Sequence, residues 1–298
     1  MLARTGLEAG IAILLMGLVP IIIRHVSANA WTIGIVRLGI AAGGLALVLA
    51  IMRRRTALRR RDWRTLVLIG GLFGVHWTLY FSSIKVASAA VAVIAQSTFG
   101  VHLVVLGWVI GHHQVKRTDV AAVALAVAGA LLVAPRWSLG DRTTVGLLLG
   151  IVSAFAYAFL PILHQRLAWI SSTVRAFWQF TFALPVFLLF LPRADFRLPR
   201  ADWAWLLVLG VLCTLVQHTL WTRVTTRLST LTTSLLFYLA VPVTLALAVL
   251  VLGEEVSPRM LAGAALIVVG NLLGIADQWR AGRLVFAGMR RTPVSPDL

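Results

Sequence analysis

Apolar runs of roughly 18 to 23 residues follow one another along almost the whole chain, separated by short polar or basic segments. The pattern predicts ten helices: Leu7–His25, Ala30–Met52, Trp63–Ile84, Ser88–Ile110, Thr118–Ala134, Thr144–Gln165, Thr173–Leu191, Asp202–Arg223, Ser229–Leu252 and Pro258–Asp277. Such runs are long enough to cross a hydrocarbon core of about 30 Å as helices. Lipid offers no partner to a bare N–H or C=O, so spanning segments are helical or form a closed barrel, and the alternating strands of about ten residues that build a barrel are absent. The fold expected is therefore an all-α integral membrane protein.

The two halves resemble one another at a nearly constant offset. Pro20 matches Pro161, Ser88 matches Ser229 and Gly129 matches Gly270, each 141 residues apart, while Asp62-Trp63 and Asp202-Trp203 are offset by 140. This is a duplication. Each copy holds five helices, an odd number, so the second enters the membrane from the opposite face, giving two inverted-topology five-helix repeats around a central cavity. The expected division is residues 1–141 for the first repeat, 142–280 for the second and 281–298 for a cytoplasmic basic tail, all within one structural domain.

Composition agrees with a chain whose solvent is lipid: 60% of the 298 residues are hydrophobic, 12% are charged and mean hydropathy is +0.93. The formal charge of +17 raises nucleic acid as a partner, but the arginines cluster between apolar runs, where phospholipid headgroups are the nearer anions. With the N-terminus in the cytoplasm, 18 Lys and Arg fall on that side and 8 on the other, with Arg37 left inside a span. Both termini are thus expected inside a bacterial inner membrane. The first run lacks a small-residue cleavage site and reads as a retained helix. Cys213 is the sole cysteine, which excludes an intrachain disulfide or a cysteine-built metal site. The adjacent His112 and His113 do not share one helical face as a metal pair would. No cofactor and no metal are expected.

The stretch Leu228 to Gly270 carries Ala240-Val241-Pro242, then Leu252-Gly253-Glu254, then Ala262-Gly263-Ala264-Ala265. With the ten-helix pattern, it resembles the EamA-like branch of the drug/metabolite transporter superfamily. The first half departs from that pattern, with Ile110-Gly111-His112 in place of Leu-Gly-Glu and Met16-Gly17 where the family often has Trp-Gly. The resemblance implies one bundle in which helices one, three, four, six, eight and nine enclose a cavity and helices five and ten close the far end. It also implies a non-enzymatic secondary transporter, similar to bacterial exporters of amino acids and other small metabolites.

Polar and aromatic residues inside spans are then the candidates for cargo contact, because an ionisable group facing lipid costs a few kcal/mol. Helix three carries His76, Trp77 and Tyr80, helix four Gln96, Phe99 and His102, helix eight Gln217, His218 and Trp221, and helix nine Phe237 and Tyr238. On helix six, Tyr157, Pro161 and His164 share one face, and each also reads as packing or as an interfacial residue. Pro20, Pro161 and Pro242 are hinge candidates, since proline removes a helix hydrogen bond. Arg37, two turns into helix two, reads first as a side chain snorkelling to headgroups and otherwise as an anion clamp. The tryptophans at positions 31, 63, 137, 169, 203, 205 and 279 lie near span ends and read as belt residues. Gly270 and Gly274 suit close helix packing, within the bundle or in a dimer.

All ten carboxylates fall at span ends, in loops or in the tail, which disfavours carboxylate-based proton coupling and leaves the histidines as carriers or as neutral lining. The same lack weakens the rival reading of an intramembrane enzyme acting on lipid, which needs an interior acid or nucleophile. Export of amphipathic, neutral or aromatic amino acids by alternating access is the preferred reading. The alternative, nucleotide-sugar or sugar-phosphate exchange, calls for several buried basic residues, and the spans offer Arg37.

Overall fold

The computed structural model describes residues 2–53, 58–111, 115–134, 136–227 and 236–280. The helices are α1 Leu2–His25, α2 Ala30–Ile51, α3 Arg60–Val86, α4 Ala89–Gln96, α5 Phe99–Gly111, α6 Arg117–Val133, α7 Arg142–Arg166, α8 Ser172–Leu188, α9 Arg200–Gly210, α10 Gln217–Arg227, α11 Ala240–Leu252 and α12 Pro258–Arg280. A π-helical turn, Val211–Val216, joins α9 to α10, so the eighth span is one rod with a bulge. The fourth span is α4 and α5 in sequence, which brings the spans among the described residues to ten. Large apolar side chains such as Leu250 (81% exposed) and Leu189 (77%) point out of the bundle, which fits a surface solvated by lipid.

Polar residues at span boundaries satisfy the first amides of the helices. Asn29, Ser88 and Asp141 accept from Thr32 N (3.0 Å), Val91 N (3.1 Å) and Thr144 N (2.8 Å), starting α2, α4 and α7. Asp62 reaches back to Arg59 N at 2.7 Å, so the Asp-Trp repeat signature is in part a capping device. Gly253 ends α11 in the left-handed conformation (φ 64°), which turns the chain. Glu254 then accepts from Ala89 N (2.9 Å) and Ala90 N (3.0 Å) at the start of α4. This gives the Leu252-Gly253-Glu254 motif a physical meaning: it ties the end of the ninth span to the beginning of the fourth. Its first-half counterpart at His112 lies outside the described residues.

The packing is reciprocal between halves. The fourth span lies on the sixth as the ninth lies on the first, the third packs on the sixth as the eighth does on the first, and the third meets the seventh as the second meets the eighth. The fifth span pairs with the tenth, and the second with the seventh. Exchanging halves thus maps these pairings onto one another, as a pseudo-twofold between two five-helix repeats does. At the crossing of α6 and α12 a Cβ on Gly129 would stand 2.5 Å from Gly263 O, and one on Gly270 2.7 Å from Ala122 O. Adding 141 to Gly129 gives Gly270 and subtracting it from Gly263 gives Ala122, so the pseudo-twofold passes between the two contacts. Packing within the bundle therefore accounts for the small residues of the tenth span.

Both copies leave helix at the same place. The fourth leaves helix at Ser97 and Thr98 and the ninth at Leu239, which is Thr98 plus 141. Ser97 and Thr98 turn their hydroxyls onto Ile94 O and Ala95 O, and the Ser97 carbonyl accepts from Asn271 Nδ2 of α12 at 2.7 Å. Pro242 falls in the first turn of α11, just after the break, where its missing N–H leaves no helix bond unmade. Pro20 and Pro161 lie inside the continuous helices α1 and α7.

Candidate functional site

The spans enclose a mid-bundle cavity of about 320 Å³, at the lower end of the roughly 300–1,000 Å³ range of small-molecule sites. Of the residues singled out by sequence, His76, Trp77, Tyr80, Gln96, Tyr157, Pro161, His164, Gln217, His218, Trp221 and Arg37 line it. Three do not reach its wall. Phe99 stacks behind it, 5.0 Å from the Tyr157 ring and 5.8 Å from Phe237. His102 points the other way, bonding Thr98 Oγ1 at 3.2 Å and packing on Phe155, which is 41% exposed on the outer surface. Tyr238 is buried at 5% with its hydroxyl unpartnered.

Sequence reasoning missed the seventh span altogether, yet Gln179 and Phe180 stand in the wall, as do Cys213 and Thr214 of the π-helical turn. The resemblance implied six lining helices; the second and seventh spans contribute as well, through Arg37 and through Gln179 and Phe180. A period-3.6 reading of α8 would have placed Gln179 on its buried face with Ala176, Ala183 and Phe187, which was the available signal.

Small polar clusters hold the wall in place. Ser153 Oγ of α7 lies 2.7 Å from His76 Nδ1, 2.9 Å from His76 O and 3.4 Å from Gln96 Oε1, knitting three spans together. His164 Nε2 meets Gln179 Oε1 at 2.7 Å, and Arg175 Nη1 donates to the His164 carbonyl at 2.8 Å. His76 lies parallel to Tyr80 (6.0 Å, 14°) and His218 sets its edge against Phe180 (5.7 Å).

Arg37 is not a snorkelling residue. It is 4% exposed, buried between spans two, three and eight. Its Nε donates to Thr214 Oγ1 at 2.7 Å and Nη2 to the Cys213 carbonyl at 3.0 Å. The guanidinium sits 4.2 Å from the Trp77 ring centroid and 5.6 Å from that of Phe81. The π-helical turn supplies both oxygen partners, and Thr214 Oγ1 in turn donates to Leu209 O at 2.8 Å.

At the end of the bundle where α1 and α3 finish, a second polar lattice crosses the repeats. Arg24 bonds the carbonyls of Ile84 (3.3 Å) and Lys85 (3.1 Å) and stands 3.8 Å from Glu254 Oε1. Lys85 Nζ donates to Val26 O, and Asp202 accepts from Ser27 N at 2.9 Å and from the Ser27 hydroxyl. Arg24 and Lys85 are thus structural partners at a rim. Trp31 stacks on Phe190 at 4.1 Å and Trp63 meets Trp178 edge-on at 4.6 Å, so these two tryptophans pack on neighbouring aromatic rings.

Comparison with known proteins accords with this architecture. No curated protein matches the chain at a significant level. A solved structure described simply as "Crystal structure of protein" superposes with a TM-score of 0.63 at 20% identity, covering 94% of this chain and 99% of that one, a likeness of fold. The model of the EamA-like transporter family matches twice, over residues 7–134 and 144–275, one match per repeat. The chain is a multi-pass membrane protein of the drug/metabolite transporter type and belongs to the EamA-like transporter family.

Proposed function

We propose that the protein exports amino acids or similar small metabolites across a bacterial inner membrane by alternating access, with both termini in the cytoplasm. The observation that carries this is the cavity at the repeat interface, walled by rings and neutral hydrogen-bonding groups together with one cation. Such a wall suits an amphipathic cargo: the aromatic faces receive its apolar body and the amide, imidazole and hydroxyl groups its polar end. Repeats 1–141 and 142–280 would rock about the cavity, with Pro20, Pro161 and the break before Pro242 as hinges. In this conformation the Arg24–Glu254 lattice would close the outer end, since opening there breaks only exchangeable polar contacts. A sugar-phosphate exchanger is less well supported, because a doubly charged cargo calls for more than one cation in the cavity.

Purified protein in liposomes loaded with one amino acid should show counterflow of a labelled amino acid. Tyr80→Ala and Trp221→Ala should each reduce its rate by about tenfold or more, as expected when a contact worth roughly 1.4 kcal/mol is lost. Unchanged counterflow in both variants would remove these rings from the cargo path.

A further inference from the structure

Arg37 bonds through two of its three nitrogens, both times to the π-helical turn. The third, Nη1, is buried with no hydrogen-bond partner. The ion pairs Arg4–Glu8 and Arg24–Glu254 involve no cavity residue, and among the described residues no Asp or Glu lines the cavity. The cavity therefore holds a fixed guanidinium with no protein anion beside it. A buried, unpaired charge is costly unless something neutralises it, so its persistence in a wall of otherwise neutral groups points to a partner that comes and goes. The bonds to Thr214 and Cys213 and the stacking on Trp77 fix the guanidinium plane while leaving Nη1 uncommitted. That preorganisation favours a charge-assisted hydrogen bond to an oxyanion.

We infer that Arg37 is the cargo anchor and that the group it binds is a single carboxylate, so the recognised class is small organic monocarboxylates with an apolar or aromatic body, amino acids among them. The inference rests on reading the cavity as the cargo site. One cation matches one negative charge and leaves the second charge of a phosphate monoester unpaired. An ammonium finds no carboxylate in the wall, and with the Trp77 ring taken by Arg37 it meets only the remaining rings and uncharged groups. The α-amino group of an amino acid is thus tolerated rather than required.

Titration calorimetry on the purified full chain with 3-phenylpropionate, phenylalanine, 3-phenylpropionamide, phenethylamine and phenyl phosphate tests this with no substitution at all. The acid should bind at least as tightly as phenylalanine and roughly 10- to 100-fold more tightly than the amide, the amine or the phosphate, the range expected for one hydrogen bond to a charged group. Arg37→Gln should bring acid and amide to equal affinity, and Arg37→Lys should keep part of the difference. An amine, amide or phosphate that binds as well as the acid, no saturable binding of any probe, or an acid-to-amide ratio untouched by Arg37→Gln would each overturn the assignment. The two readings separate cleanly. Counterflow of phenylalanine surviving in Arg37→Gln sinks the anchor and spares the amino-acid carrier, whereas tight 3-phenylpropionate binding without amino-acid counterflow sinks the amino-acid reading and spares the anchor.

Discussion

At the scale of single residues, the polar groups divide by depth. Those at span ends serve helix starts, and those at mid-span either face the cavity or are knotted to one another. Asp141 is the simplest of the first kind: outside the spans, it accepts from the Thr144 amide, which holds its carboxyl below the usual carboxylate range. Because its folded value is depressed, the stabilisation is present above the unfolded value of about 3.8 and is lost as pH falls through the lower folded value. Asp141→Ala should therefore lower the melting temperature at pH 7 and shrink the loss of stability between pH 5 and 3, as read by tryptophan fluorescence. An identical pH dependence in the variant would show that the cap does not contribute. Ser153 exemplifies the second kind, with one hydroxyl shared among His76 and Gln96. His76 and Gln96 were legible from polarity at span depth, but their partner Ser153 was not, since His76 and Ser153 are 77 positions apart.

At the scale of elements, the crossing of α6 and α12 is a close approach at which glycine is required. A side chain at Gly129 or Gly263 meets backbone on the other helix, which has no rotamer with which to yield. Gly129→Leu and Gly263→Leu are expected to destabilise the protein by about 1–3 kcal/mol each, visible as a lower melting temperature in detergent. Gly71→Leu, on an open face of α3, is the control that should leave it nearly unchanged. Equal effects at all three positions would argue against a close-packed crossing. The paired breaks at Ser97–Thr98 and Leu239 belong to this scale too. Apolar periodicity gave no sign of them, because Ser97 and Thr98 satisfy their own local carbonyls and the Ser97 carbonyl is answered from α12, 174 residues away. Phe99 and His102, after the first break, and Tyr238, before the second, are absent from the cavity wall, while Gln96, Ser97 and Phe237 beside them stay in it.

At the scale of the whole molecule, the Arg24–Glu254–α4 lattice is the element best placed to distinguish two states, since it spans both repeats. Cys213, the sole cysteine, lines the cavity and gives a built-in reporter. Glu254→Ala removes the ion pair and two bonds to the amides of α4. It should raise the rate at which a membrane-impermeant maleimide, applied from the side on which α1 and α3 end, labels Cys213 by about tenfold, the factor that a shift of roughly 1.4 kcal/mol in a two-state equilibrium produces. A rate equal to that of the native protein would mean that the lattice does not govern access.

What the chain alone determined is what lipid and local sequence dictate. A hydrocarbon solvent demands long apolar helices, so span number and approximate ends follow from composition, and the 141-residue echo with five spans per copy makes the repeats inverted. Tertiary structure decided which face of each span meets the cavity, because helical period orders residues around one axis and says nothing of the axis beside it. It also decided the fate of Arg37: the same residue, two turns into a span, would reach headgroups had α2 stood alone. The π-helical turn of the eighth span, 176 residues away, offers Cys213 O and Thr214 Oγ1 instead and turns the guanidinium inward.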